Sequence, residues 1–189
     1  PRNPKNNIKT GSRYEVEWVD IEDFHAKKTT TKYQGSIQGA SPFNGSEGII
    51  TDKKSVFFTC KDGGYKEHGQ IFRYYPSKYE GTTKEVEQPG ILELFYESKN
   101  KDEYWGGDNI VIAPWGDLII CEDNGSRGCK LLGINNHGSI YVIGQVEDSS
   151  SEIAGVCFSP DGKNMFLNIQ DEGRTIAIFG DWKKIQTLY

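Results

Sequence analysis

The sequence predicts an all-β chain, and three observations predict it. Apolar runs are short and are punctuated by Pro, Gly, Asp and Asn, which reads as strands joined by tight turns. Glycine is frequent, 22 of 189 residues, as a chain with many turns requires. One unit recurs three times at roughly 50-residue spacing: an apolar run, a turn, a second apolar run, with acids at the outer ends. Such a repeat is the signature of β-propeller blades.

The clearest copy spans Gly106 to Gly125. Ile110–Ile112 and Leu118–Cys121 are its two runs, and Pro114, Gly116 and Asp117 supply the turn. Asp108 stands before the first run; Glu122 and Asp123 follow the second. Downstream, Gly155–Ser159 and Asn164–Ile169 flank a Pro160-Asp161-Gly162 turn. Glu152 precedes that copy, and Asp171 and Glu172 follow it. Upstream, Ile49-Ile50 and Val56–Cys60 flank Asp52-Lys53, with Glu47 leading and Asp62 trailing. A hairpin returns the chain to the side it left, so both outer ends of each copy share one side. Strands are expected at 110–113 with 117–121, and at 155–159 with 164–169, each pair antiparallel.

In chain order, residues 1–13 read as a flexible amino-terminal arm, 14–182 as a partial β-propeller, and 183–189 as a tail. Tyr14 to Ile21 alternates in polarity like a strand, and Ala26 to Ser41 is a polar, threonine-rich connection. Gly69 to Pro76 is an aromatic third strand and Ile91 to Tyr96 a fourth, with a charged insertion, Ser77 to Gly90, between them. Leu131–Ile134 and Ser139–Gln145 surround an Asn135-Asn136-His137-Gly138 turn. Thr175 to Phe179 is a last strand. No long helix is expected.

Composition narrows the function. The chain is 35% hydrophobic and 26% charged, ordinary for a globular protein. A formal net charge of −5 offers no broad basic field for nucleic acid. No apolar run approaches the ~20 residues that cross a bilayer. The chain starts at Pro1 with no methionine and no visible signal peptide, which reads as a processed or incomplete protein. Cys60, Cys121 and Cys157 sit in or beside apolar runs and read as small buried hydrophobes. A local Cys121–Cys129 disulfide is the alternative. No Cys/His spacing suits a zinc module. His25, His68 and His137 lie in polar loops and read as exposed.

Several motifs in order resemble one family. They are Gly-Gly-Asp-Asn-Ile-Val-Ile-Ala-Pro from Gly106, Cys-Glu-Asp-Asn-Gly from Cys121, Ala-Gly-Val-Cys-Phe-Ser-Pro-Asp-Gly-Lys-Asn from Ala154, and Thr-Ile-Ala-Ile-Phe-Gly-Asp-Trp from Thr175. Together they resemble the closing blades of PhoX-type alkaline phosphatases. Val16 to Asp23, Ser46-Glu47-Gly48, Asp62-Gly63-Gly64 and Gly69-Gln70 resemble the blades just before. The resemblance covers about Tyr14 to Trp182. It implies a six-bladed propeller whose channel mouth holds calcium and iron and hydrolyses a phosphomonoester. It also implies an extracytoplasmic location, periplasmic or secreted, with an organelle lumen as the alternative.

The residues by themselves point to the same end of the channel. Carboxylates converging without bases repel one another, and a hard divalent cation with oxygen ligands resolves this; calcium suits such a set. By resemblance, Glu47 and Glu122 are the first candidate ligands and Glu152 the next; Asp62, Asp108 and Asp171 are possible additions. Against this stands the plain reading that acids at strand ends are solvated turn residues. Iron (Fe3+) is implied by resemblance alone, and its family ligands include a cysteine in amino-terminal blades with no counterpart here. A basic residue is also expected near Glu47, where Asn44-Gly45-Ser46 stands.

Three blades and the Tyr14 strand fall short of a ring, so a complementary propeller chain or large assembly is expected to complete it. Trp18, Ile71 and Ile176 are expected on the apolar faces it would cover. The first functional reading is therefore the carboxyl-terminal part of a calcium-dependent, or calcium/iron, phosphomonoesterase. A non-catalytic PhoX-like subunit or scaffold is the second. A carbohydrate- or peptide-binding propeller is the third, and it requires an aromatic rather than acidic mouth.

Overall fold

A computed structural model describes residues 8–124, 128–147 and 149–185. Among the described residues, twelve strands form three antiparallel sheets in chain order. The first holds β1 (Arg13–Glu15), β2 (Ser46–Thr51), β3 (Val56–Cys60), β4 (Gln70–Tyr75) and β5 (Ile91–Glu97), ordered β1-β5-β4-β3-β2. The second is the meander β6 (Gly107–Ile112), β7 (Leu118–Glu122), β8 (Lys130–Ile134) and β9 (Ile140–Gln145). The third is β10 (Ile153–Phe158), β11 (Asn164–Ile169) and β12 (Arg174–Phe179). The expected hairpins are present, β6 with β7 and β10 with β11, both antiparallel.

Turn chemistry sets the hairpins. In the β6–β7 turn, Gly116 takes φ +98° and its N–H donates to the Ala113 carbonyl at 2.8 Å. In the β8–β9 turn, Gly138 takes φ +79° and donates to Asn135 at 2.9 Å. A side chain at either position would strain the left-handed backbone.

Strand alternation sends successive side chains of β7 into two different cores. Leu118 and Ile120 join Phe57, Ile71, Phe95, Ile110 and Leu132 between the first and second sheets. Ile119 and Cys121 join Leu131, Val156, Met165 and Leu167 between the second and third. The central strands of the middle sheet, β7 and β8, are thus buried on both faces. Each such Leu or Ile side chain contributes about 1.5–3 kcal/mol on burial. Ile71 is fully buried in the first of these cores and does not line an open face. Trp18 is 61% exposed and sets its ring edge-on to Tyr74; Ile176 is 38% exposed.

Several local expectations change. The strand expected over Tyr14–Ile21 shortens to β1, because its partner runs out. Glu15 pairs with Ile91, the first residue of β5, and the last bond is Val16 N–H to the Gly90 carbonyl at 2.9 Å. Pairing also reaches back into the expected arm, where Gly11 N–H donates to Leu94 at 2.8 Å. The polar connection contains a short helix, α1 (Thr31–Ile37), whose N-terminus is capped by the Thr30 hydroxyl accepting from Tyr33 N–H at 3.3 Å. Cys121 and Cys129 are both free thiols buried in the second core, not a disulfide, and Cys60 is free and buried. Cys157 is exposed on the far side of the third sheet, contrary to its buried reading. His25 and His137 are exposed, but His68 is half-buried. No helix among the described residues is long and apolar enough to cross a membrane.

Candidate metal centre

Strands β2, β6 and β10, one in each sheet, are bulged at the same register against the strand that follows them. Ser46 pairs with Cys60 and Ile49 with Phe58; Gly107 pairs with Glu122 and Ile110 with Ile120; Ala154 pairs with Asn168 and Cys157 with Phe166. In each case three steps on the first strand match two on the second. Bulges of this kind bend a strand and re-aim its side chains. Glu47, Asp108 and Gly155 occupy equivalent bulge positions, so Glu152 is not the counterpart of Glu47 and Asp108.

The bulged strands lie side by side, β2 against β6 and β6 against β10. Side chains tie them together. Thr59 on β3 donates its hydroxyl to the Asp108 carbonyl at 2.9 Å and accepts from Gly48 N–H at 2.9 Å. Asn109 Oδ1 accepts from Gly155 N–H at 2.6 Å, joining the second sheet to the third. Gly48 is required for the approach, since a Cβ there would lie 2.3 Å from the Asp108 carbonyl oxygen.

Against this seam three half-buried carboxylates meet. Asp108 comes from the β6 bulge, Asp123 from the residue after β7, and Glu152 from the residue before β10. One oxygen of each lies within 4.8 Å of the others. Lys61, the residue after β3, reaches across from the first sheet and ion-pairs with Asp123. Lys61 and Asp123 are register equivalents: Lys61 N–H donates to Gly45 at 2.6 Å and Asp123 N–H to Gly106 at 2.8 Å.

The electrostatics follow from this crowding. Burial, then the Asp123 carboxylate and the Asp108 charge, push the Glu152 carboxyl up to about 7. Burial and the Glu47 charge raise Asp108, with Lys61 opposing. Burial acts to lower the Lys61 ammonium, but its bond to Asp123 and the charges of Asp108 and Glu47 win and raise it. In such a group one carboxyl holds a proton near neutral pH unless a cation replaces it. The donor set is all oxygen, which fits a hard divalent ion.

Of the residues singled out from sequence, the structure brings Asp108 and Glu152 into this group. Glu47 is exposed at its rim, where its charge bears on Asp108 and Lys61. Glu122 is fully buried outside the group. Its carboxylate accepts from the backbone N–H of Trp105 at 2.9 Å and of Lys130 at 3.0 Å, and from the Asn124 amide at 3.2 Å. Asp62 is exposed over Gly45, and Asp171 is exposed with its N–H on Ser151 Oγ at 2.9 Å. Asp123 and Lys61 were missed. Asp123 was visible as the neighbour of Glu122 at the strand end; Lys61, just after β3, is a cation that feels the charge of Glu47 and pairs with Asp123.

The family model described as alkaline phosphatase PhoX matches residues 5–173. No curated protein matches the chain.

Proposed function

The chain belongs to the alkaline phosphatase PhoX family, and we propose that it carries metal-binding residues of a calcium-dependent phosphomonoesterase. The observation that carries this reading is the convergence of Asp108, Asp123 and Glu152 within 4.8 Å, from two sheets, at a shared seam. In this reading the three sheets are successive propeller blades and the seam is the channel side. Repeated bulges in the adjacent strands β2, β6 and β10 support it, because they aim equivalent positions at one place.

Asp108, Asp123 and Glu152 would hold the calcium, with Glu47 adding negative charge at the rim. Bound there, calcium would polarise a phosphoryl oxygen as a Lewis acid. Thr59 and Asn109 keep the strands in register. Glu122 anchors the end of β7 and so places Asp123. Iron is proposed only as a second ion with ligands from outside these sheets. We propose that the protein works outside the cytoplasm, periplasmic or secreted.

Asp123→Asn tests the reading. Calorimetric calcium titration and hydrolysis of p-nitrophenyl phosphate should both be lost or strongly reduced. Undiminished calcium binding by this variant would overturn it.

A second reading is a PhoX-like subunit of a larger propeller assembly that does no catalysis itself. The third sheet favours a partner: Cys157, Phe166 and Ala177 stand in register across its far face, and Phe179 is 75% exposed. A complementary propeller chain packed there would bury them. Sedimentation should then show self-association of the purified chain and a defined complex once the remaining blades are supplied.

A further inference from the structure

We propose that Lys61 is a tethered cation that neutralises the acidic centre when no metal is bound and competes with the metal for it. This rests on the metal reading above and adds a residue that sets metal affinity. The geometry carries it. Lys61 Nζ is ion-paired with Oδ2 of Asp123, one of the three converging carboxylates. Both side chains are largely shielded, 24% and 27% exposed, so the pair is not an ordinary solvated surface bridge. The lysine belongs to a different sheet from Asp123, and it reaches the centre because the two residues occupy equivalent register positions in neighbouring sheets. Its ammonium also lies in the field of Asp108 and Glu47.

A divalent ion that takes Oδ2 of Asp123 as a ligand displaces this ammonium, and one that takes the other oxygen binds beside it. Either ion then meets a second positive charge a few ångströms away in a partly desolvated site. Both effects weaken binding, and the chain thereby holds a low-affinity, exchangeable centre rather than a permanently filled one. Removing the charge while keeping the length of the side chain should tighten the site.

The test is calcium titration by calorimetry on the full chain, comparing the wild type with Lys61→Met, Lys61→Arg and the remote Lys163→Met. Lys163 is 80% exposed and pairs with Asp161 on a turn. Lys61→Met should bind calcium about tenfold more tightly, the order expected for one nearby partly screened charge. Lys61→Arg and Lys163→Met should stay within about twofold of the wild type, because the local charge is kept in each. Lys61→Met should also melt lower than the wild type in chelator and recover with calcium; Lys61→Gln replaces it if the methionine variant does not fold. Equal or weaker calcium binding on removal of the charge overturns the role of Lys61 while leaving the metal site standing. Absence of calcium binding in wild type and variants alike overturns both.

Discussion

The hydroxyl of Thr59, on β3 of the first sheet, donates to the main-chain carbonyl of Asp108, in the bulge of the next sheet, at 2.9 Å. The same oxygen accepts from Gly48 N–H at 2.9 Å. One fully buried side chain thus satisfies two backbone groups that the bulges release from their ladders, and it fixes the position of a candidate ligand.

Thr59→Val removes both bonds at nearly constant volume and leaves the two backbone groups unpaired. The expected loss is about 1–3 kcal/mol, read as a lower urea midpoint. Calcium affinity should fall with it. Unchanged stability would show that the seam does not depend on this hydroxyl.

Gly48→Ala places a methyl group 2.3 Å from the Asp108 carbonyl oxygen and 3.0 Å from the Ile110 nitrogen. Backbone cannot yield as a flexible side chain can. The first two sheets must separate, at a cost of about 1–3 kcal/mol, visible as a lower melting temperature.

Glu122→Ala removes a fully buried acceptor from the Trp105 and Lys130 amides. Hydrogen bonds to charged groups contribute about 1.5–3 kcal/mol each, so the variant should be destabilised by at least about 2 kcal/mol in denaturant unfolding. A variant that instead loses calcium binding with unchanged stability would restore Glu122 as a ligand.

The raised Glu152 carboxyl predicts a pH dependence. Its folded value is about 7 against an ordinary 4.5. Between these, the folded metal-free chain keeps a proton that the unfolded chain has released. Stability attributable to this group is therefore greatest below the ordinary value and falls as pH rises toward about 7. Urea midpoints in chelator at about pH 5 and about pH 8 should show the fall, and Glu152→Gln should flatten this component. Calcium should reduce it in the wild type by favouring the ionised carboxylate.

Thiol reactivity should separate the cysteines. Cys157 is exposed, whereas Cys60, Cys121 and Cys129 are buried, and burial pushes Cys60 up to about 11 and Cys121 up to about 12. A disulfide reagent should modify one thiol quickly in the native protein, and the other three only on unfolding. Cys157→Ser should abolish the fast phase.

Much of the architecture was legible because hairpin turns are local. Pro114-Trp115-Gly116-Asp117 and Pro160-Asp161-Gly162 announce their turns without help from distant residues, and the apolar runs beside them became β6, β7, β10 and β11. The short helix α1 was hidden because one cap and a few residues leave no periodic pattern. The extent of β1 was hidden because it depends on where β5 begins.

The candidate site divided along the same line. Asp108 and Glu152 could be picked out as acids at strand ends, but Glu122 and Asp123 are adjacent and chemically alike. A strand points neighbours to opposite sides, so only one of them could join the group, and the bulge and its ladder settle which. Lys61 is distant in sequence from Asp123, and nothing local in either segment indicates the other.

By itself the sequence determined the strand-and-turn order, the threefold repeat and the acidic character of one end, because apolar patterning and turn chemistry act over a few residues. Only the tertiary structure decided which acids converge, that Glu122 is committed to backbone amides, and that Lys61 from the first sheet pairs with Asp123 of the second. Those outcomes depend on the packing of one sheet against the next, where a bulge shifts the register and a glycine lets two backbones approach.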